Sequence, residues 1–293
     1  MTCCAHTLNL IATTDISKIL DKNYIKISRS TFSKLSTFWN LLSRSTVASD
    51  KVYELCGCKF PVPILTRWNS MFHSAKKVIN YKEKLSLVFE SLQLKNLKTS
   101  EWVFLEEYCR VMVPIATATD KLQGEKKSFL GYVSPTILSL RRFQINFSNL
   151  VHCKPLSLSI IKSLEKRFEY IFDLSNHKSK SFILVSMSHP KFKSNWVPAR
   201  FAEQCKQIFI NECISLSVAT LNLNSDYSDP GPESDGSDQE FYNNVQNKIP
   251  TDKLSESGEM KKHNLISAHA LSFLNLKKKT DLNILNSFKF VSF

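Results

Sequence analysis

The chain has 293 residues, of which 43% are hydrophobic, and its formal charge is +13. This hydrophobic fraction is enough for one large core or two smaller ones, which excludes a chain that is disordered throughout. No apolar run approaches the roughly 20 residues of a membrane-spanning helix, and the positive charge suggests attraction to nucleic acid or another polyanion.

The composition of the sequence and the spacing of its helix-breaking residues favour a mainly α fold. Only 6 glycines occur, and long runs separate the residues that break helices, which is unlike a sheet with many tight turns. The 8 cysteines form no disulfide framework and no signal peptide precedes them, so we expect a reducing, intracellular setting.

Apolar residues recur at helical spacing along the first part of the chain. We expect a moderately helical stretch over 5–20, a helix over 30–45, and a short helix over 47–55 that Gly57 closes. Pro61 and Pro63 then hold the chain extended before the next helix.

That next helix begins with Thr66-Arg67-Trp68-Asn69-Ser70, where Thr66 is placed to act as N-cap. Trp68, Phe72 and Ala75 share one apolar face. The spacing leaves two interpretations of Trp68 open: an aromatic residue of the core, or a platform on which a nucleic-acid base stacks beside Arg67.

Further along, the clearest helix spans 102–122, with a kink expected at Pro114 because proline lacks the N–H that the helix requires. Ser134-Pro135 predicts another helix start, and two more helices follow Pro155 and Pro198.

From Ser225 the chain becomes acidic and serine-rich, which predicts disorder. The sequence therefore divides into 1–22, an all-α domain over 23–218, a disordered acidic linker over 219–262 and a short, weakly structured tail over 263–293.

Few residues suggest catalytic or metal chemistry. Cys3 and His6 lack the second ligand pair that a structural zinc site needs, so we predict no metal. No glycine-rich phosphate loop is present, and Asp15, Asp21 and Asp50 are interpreted as caps or surface charges.

Basic side chains are the better candidates for function, because lysine and arginine neutralise DNA phosphates. The same residues are also typical of solvated helix faces. The candidate DNA-binding set is Arg67, Trp68, Lys76, Lys77, Arg141, Arg142, Lys191 and Lys193.

Four segments, in this order, resemble hAT-type transposases and their domesticated relatives, the zinc finger BED domain-containing proteins. They are Cys3-Cys4-Ala5-His6-Thr7-Leu8-Asn9-Leu10-Ile11, Thr66-Arg67-Trp68-Asn69-Ser70, the helix over 102–122, and Met187-Ser188-His189-Pro190-Lys191-Phe192-Lys193. The motif positions are Cys3, His6, Asn9, Thr66, Asn69, Ser70, Pro190 and Phe192. His189 departs from the aspartate that the family usually has there.

The resemblance implies an RNase H-like core interrupted by a helical insertion domain, with residues 1–22 as the end of that core. Active relatives cut DNA with three carboxylates that hold divalent metal ions, and these lie outside the matching segments. Catalysis and cofactors are therefore not expected in this chain. In active relatives the tryptophan of the second motif stacks on a flipped base, a role that would fall to Trp68.

We therefore expect a transposase-derived nuclear protein, catalytically incomplete, that retains DNA binding. A homo-oligomer would depend on a C-terminal segment that we do not recognise here. The alternatives are a fragment of an active DNA transposase from an incomplete gene prediction, and a helical scaffold for protein contacts without DNA. The run Lys277-Lys278-Lys279 is a weak signal for nuclear import, with the cytoplasm as the other location.

Overall fold

A computed structural model describes residues 3–64, 68–123, 130–225 and 256–276, without the side chains of 219–225 and 256–259. Within these ranges the chain is helical and no strand occurs, which confirms the prediction of a mainly α fold. Its contacts divide it into two units, Met1–Phe182 and Ile183–Phe293, and each is described by itself.

The first unit contains helices of very different length. They are α1 (Cys4–Leu10), a π-helical turn (Ile11–Asp15), a 3-10 turn (Ile16–Lys18), α2 (Lys22–Arg44), α3 (Thr46–Cys56), α4 (Trp68–Asn80), α5 (Lys82–Ser91), α6 (Thr99–Gln123), a 3-10 turn (Leu130–Tyr132), α7 (Val133–Ile145), α8 (Lys154–Arg167), α9 (Glu169–Phe172) and a 3-10 turn (His177–Ser179).

Helix α6 lies at the centre of this unit. It packs against α1, α2, α4, α7 and α8, and the side chains of Phe104, Leu105 and Met112 have no solvent exposure. Pro114 lies inside the helix, as the sequence indicated. The long apolar stripe of α6 therefore supplies the surface on which the other helices assemble.

Several helix ends follow from local chemistry. Asp21 starts α2 because its carboxylate accepts the backbone N–H of Tyr24 at 2.7 Å. Gly57 ends α3 with φ at 73°, a left-handed conformation that glycine adopts without strain, and donates its N–H to the Tyr53 carbonyl at 2.7 Å.

Other boundaries differ from those expected. Helix α7 begins at Val133, so Ser134 and Pro135 are buried in its first turn rather than forming the cap and first residue. The helix expected after Pro155 is shorter than its apolar residues would allow: α8 stops at Arg167, Phe168 leaves the helical conformation, and the short helix α9 follows.

Three carboxylates join helices that are distant in sequence. Glu107 of α6 is 6% exposed and accepts the backbone N–H groups of Val151, His152 and Cys153 at 2.6, 2.8 and 2.8 Å. These donors precede α8, whose N-terminus carries a partial positive charge. Glu107 thus fixes the start of α8 against the middle of the unit.

Glu101, also on α6, is 2% exposed and binds α2. Its carboxylate accepts hydrogen bonds from Lys34 Nζ at 2.6 Å, Ser30 Oγ at 2.5 Å and the Lys98 backbone N–H at 2.7 Å. Burial by itself raises the pKa of Glu101, but these hydrogen bonds outweigh it and hold the pKa below its ordinary value.

Asp15 makes the third link, between the π-helical turn and α8. The Arg167 guanidinium donates to it through Nε at 2.6 Å and Nη2 at 2.9 Å. This bidentate pair lowers the pKa of Asp15, chiefly through the hydrogen bonds from Arg167. The first residues of the chain are thereby attached to the helical core.

The second unit contains a pair of long helices. After α10 (Lys180–Ser188) and a 3-10 turn (Ala199–Phe201), α11 (Ala202–Ser225) packs against α12 (Glu256–Asn275). The rings of Phe209 and Phe273 stack with their centroids 6.3 Å apart.

Helix occupies both ends of the segment 219–262 that was expected to be a disordered linker. Helix α11 continues to Ser225 and α12 starts at Glu256, so both helices extend into the expected linker. The acidic stretch that motivated the linker lies within 226–255, outside the described residues.

Replacing Glu107 by glutamine should lower the free energy of unfolding by about 2–3 kcal/mol, because a neutral amide binds three N–H groups at a helix N-terminus less well than a carboxylate. Urea denaturation followed by circular dichroism measures this difference. Glu106→Gln is the matched control. The Glu106 side chain is next to Glu107 in sequence, is 44% exposed and pairs with Lys82 at the surface. Equal stability of the two variants would contradict the role of Glu107.

The stabilisation from Asp15 should depend on pH. Because folding lowers its pKa, the contribution is fully present above the ordinary aspartate pKa of about 4 and is lost as the pH falls through the folded value. The difference in unfolding free energy between the wild-type protein and Asp15→Asn should therefore be largest near neutral pH and narrow towards pH of about 3. Urea titrations at several pH values test this, and a constant difference would refute it.

Candidate nucleic-acid interface

Trp68 is the first residue of α4 and lies in the core of the first unit. Its side chain is 8% exposed, and its ring centroid is 6.4 Å from that of Phe72, with which it faces inward alongside Ala75 and Val78. Helix α4 packs this face against α5 and α6. Base stacking at Trp68 stays a prediction, and it would require the indole to leave these contacts.

The motif around Trp68 also has a local structural role. Ser70 Oγ accepts the backbone N–H of Ile64 at 2.7 Å, which ties the proline-bounded approach to the first turn of α4. Asn69 Oδ1 is buried and has no hydrogen-bond partner among the described residues. Thr66 and Arg67, the expected N-cap and phosphate contact, lie outside the residues that the structure describes.

Lys76 and Lys77 lie in the second half of α4. Lys76 is exposed, and the Lys77 ammonium lies 4.7 Å from the centroid of the Tyr81 ring. Desolvation lowers the pKa of Lys77, but Cys58 and Tyr81 beside its ammonium outweigh that effect and raise it above its ordinary value. Lys77 is therefore charged at neutral pH.

The two arginines of α7 differ in their environment. Arg141 donates to Glu165 through Nε at 2.6 Å and lies 5.6 Å from the centroid of the Phe172 ring. Arg142 is exposed and has no ion pair in the described part of the chain. Arg142 is thus the better placed of the two to meet a phosphate.

Lys191 and Lys193, in the second unit, differ even more. Lys191 is exposed, with its ammonium 5.6 Å from the centroid of the Phe192 ring, whereas the Lys193 side chain is 8% exposed. Lys193 Nζ donates to the Leu276 carbonyl at 2.8 Å, and desolvation lowers the pKa of Lys193. In this structure Lys193 stabilises the end of α12 instead of presenting its charge to solvent.

The remaining motif positions lie at helix ends and on the surface. Cys3 is exposed and its carbonyl accepts the Thr7 hydroxyl at 3.1 Å, while His6 is exposed and the Asn9 side chain is half-buried. Pro190 is exposed, and Phe192 is half-buried with its ring 5.0 Å from that of His189. Among the described residues, no group of three or more His, Cys, Asp or Glu residues is arranged to hold a metal ion.

Two lysines that the sequence analysis did not select follow Lys77 along the chain. Lys84 of α5 is exposed, and Lys82 Nζ donates to Glu106 at 2.8 Å while lying 5.7 Å from the centroid of the Trp102 ring. The sequence shows these lysines as two close pairs, Lys76-Lys77 and Lys82-x-Lys84, and this spacing could have indicated a basic region. We call the four lysines of α4 and α5, Lys76, Lys77, Lys82 and Lys84, the α4–α5 lysine face.

No family model, curated protein or solved structure matches the chain. The resemblance to hAT-type transposases accordingly stands on the four quoted segments alone. Of the helices in the described ranges, none combines the length and the apolar character needed to cross a bilayer.

Trp68→Ala should lower the free energy of unfolding by about 3–5 kcal/mol, because it removes a large buried aromatic side chain and leaves a cavity. Urea denaturation measures the loss. Phe143→Ala is the control, since Phe143 is 60% exposed and its truncation should change the stability by no more than about 0.5 kcal/mol. A Trp68→Ala variant as stable as the control would overturn the core assignment.

Proposed function

We propose that this chain is a helical DNA-binding protein derived from an hAT-type transposase and that it does not cut DNA by itself. The observation that carries the proposal is the lysine pair on α4, in which Lys76 is exposed and Lys77 is half-buried, on the helix that begins within the Thr66–Ser70 motif of the family resemblance. DNA backbone binding requires such exposed cations, and the net charge of +13 favours approach to a polyanion.

The shape of the α4–α5 lysine face supports a contact with the DNA backbone rather than with base edges. Its lysines extend from two helices whose apolar sides are buried, so the backbone that carries these flexible side chains is held in place. Tyr81, between the two helices, is half-buried beside Lys77 and adds an aromatic edge. Such a surface predicts affinity with little sequence preference.

The absence of cleavage is proposed from the resemblance. In the family, cutting requires three carboxylates that bind two divalent metal ions, and those carboxylates lie outside the segments that match this chain. The described acidic residues that are most buried, Glu101 and Glu107, are instead saturated by hydrogen bonds from the protein. We place the protein in the nucleus, where its DNA partner would be found.

The wild-type chain should bind a labelled hairpin or duplex DNA with an affinity that falls steeply as salt increases. Reversing two charges in Lys76→Glu/Lys77→Glu should weaken binding at low salt by at least about tenfold and make the salt dependence shallower, because fewer counterions are released. Fluorescence anisotropy across a salt series measures both quantities.

Lys26→Glu/Lys121→Glu is the matched control, because it changes the total charge equally at two exposed lysines outside the candidate set. Equal weakening in both double variants would show that only the net charge matters, and no binding by the wild-type chain at low salt would refute the proposal. Incubation of a labelled hairpin with Mg²⁺ or Mn²⁺ tests the second part, and cleavage by purified protein would contradict it.

A further inference from the structure

A groove of about 800 Å³ opens on the first unit, and none of the candidate DNA-binding residues lines it. One wall is the segment over 15–21 that leads into α2. The other wall is the outer face of α8, from Pro155 to Arg167. The Asp15–Arg167 ion pair joins the two walls, so the groove is part of the folded unit.

Leucines line this groove without being covered. Leu20 is 87% exposed and Leu158 is 56% exposed, and Ile19 beside them is half-buried. Single exposed leucines are common on protein surfaces, but leucines on both walls of one groove offer apolar surface to the same ligand.

Lysines border the same area. Lys162 and Lys166 are exposed, lie one turn apart on α8 on the face that carries Leu158, and have no ion pair among the described residues. Lys18, on the other wall, has a side chain that is 70% exposed. Its nearest carboxylate, Asp15, lies 3.9 Å away and is already bound by Arg167.

We propose that this groove binds a short amphipathic, acidic peptide segment of a partner protein. Leucine-like side chains of the segment pack on Leu20 and Leu158, and its carboxylates pair with Lys18, Lys162 and Lys166. This combination of apolar anchor and charged border is typical of peptide grooves, in which the apolar contact supplies affinity and the charges supply selectivity.

A nucleic acid fits the groove less well than a peptide. The exposed leucines of the groove gain nothing from a sugar–phosphate backbone, whereas they can pack against the apolar side chains of a peptide. The groove is therefore separate from the proposed DNA contact, and its function does not depend on that proposal.

Selection of random twelve-residue peptides displayed on phage, with the full-length chain as bait, tests the inference. The enriched peptides should combine Asp or Glu with Leu, Ile or Phe. Fluorescence anisotropy with one enriched peptide should then show binding at least about tenfold weaker to Leu158→Asp and to Lys162→Glu/Lys166→Glu.

The matched controls are Leu87→Asp, at a leucine of α5 that is 60% exposed, and Lys26→Glu/Lys121→Glu, and both should bind the peptide as the wild-type chain does. Lys76→Glu/Lys77→Glu should also bind it normally, which separates this inference from the DNA-binding proposal. The inference is overturned if no acidic, apolar consensus is enriched, or if the groove variants bind as the controls do. Duplex DNA bound by the wild-type chain and lost in Lys162→Glu/Lys166→Glu, without peptide enrichment, would likewise overturn it and assign the groove to nucleic acid.

Discussion

The first unit depends on the placement of carboxylates along one buried helix. Glu107 of α6 satisfies three N–H groups before α8, and Glu101, about two turns earlier on the same helix, holds Lys34 of α2. A buried carboxylate is costly unless its oxygens are fully hydrogen-bonded, so each interaction admits only a narrow range of helix positions. The apolar stripe of α6 packs against the other helices. Glu107 and Glu101 then fix the positions of α8 and α2 along α6.

The parts of the fold that the sequence predicts are those set by near neighbours. Asp21 caps α2 and Gly57 ends α3 within a few residues, so their chemistry is visible in a short window. The bond from Val151 to Glu107 instead spans 44 residues, and the pair of Arg167 with Asp15 spans 152. Nothing in local periodicity identifies such partners, which is why Asp15 was interpreted only as a cap or surface charge.

The candidate DNA-binding residues also show how far local sequence patterns can predict the structure. The helical periodicity was compatible with two roles for Trp68, a core residue or a platform for base stacking. Its burial next to Phe72 corresponds to the core role. Charge alone grouped Lys191 with Lys193, yet one is exposed and the other is buried against a carbonyl. The sequence identifies which side chains carry charge, but tertiary packing decides which of those charges reach solvent.

The Lys193–Leu276 hydrogen bond has a consequence for the chain between α11 and α12. It attaches the end of α12 to the turn that follows α10, while the stacked rings of Phe209 and Phe273 join α11 to α12. The association of the helices therefore does not rely on the length of the connection, because the entropy of closing a loop grows only logarithmically with its length. Related sequences could lengthen, shorten or rewrite that connection while α11 and α12 remain paired.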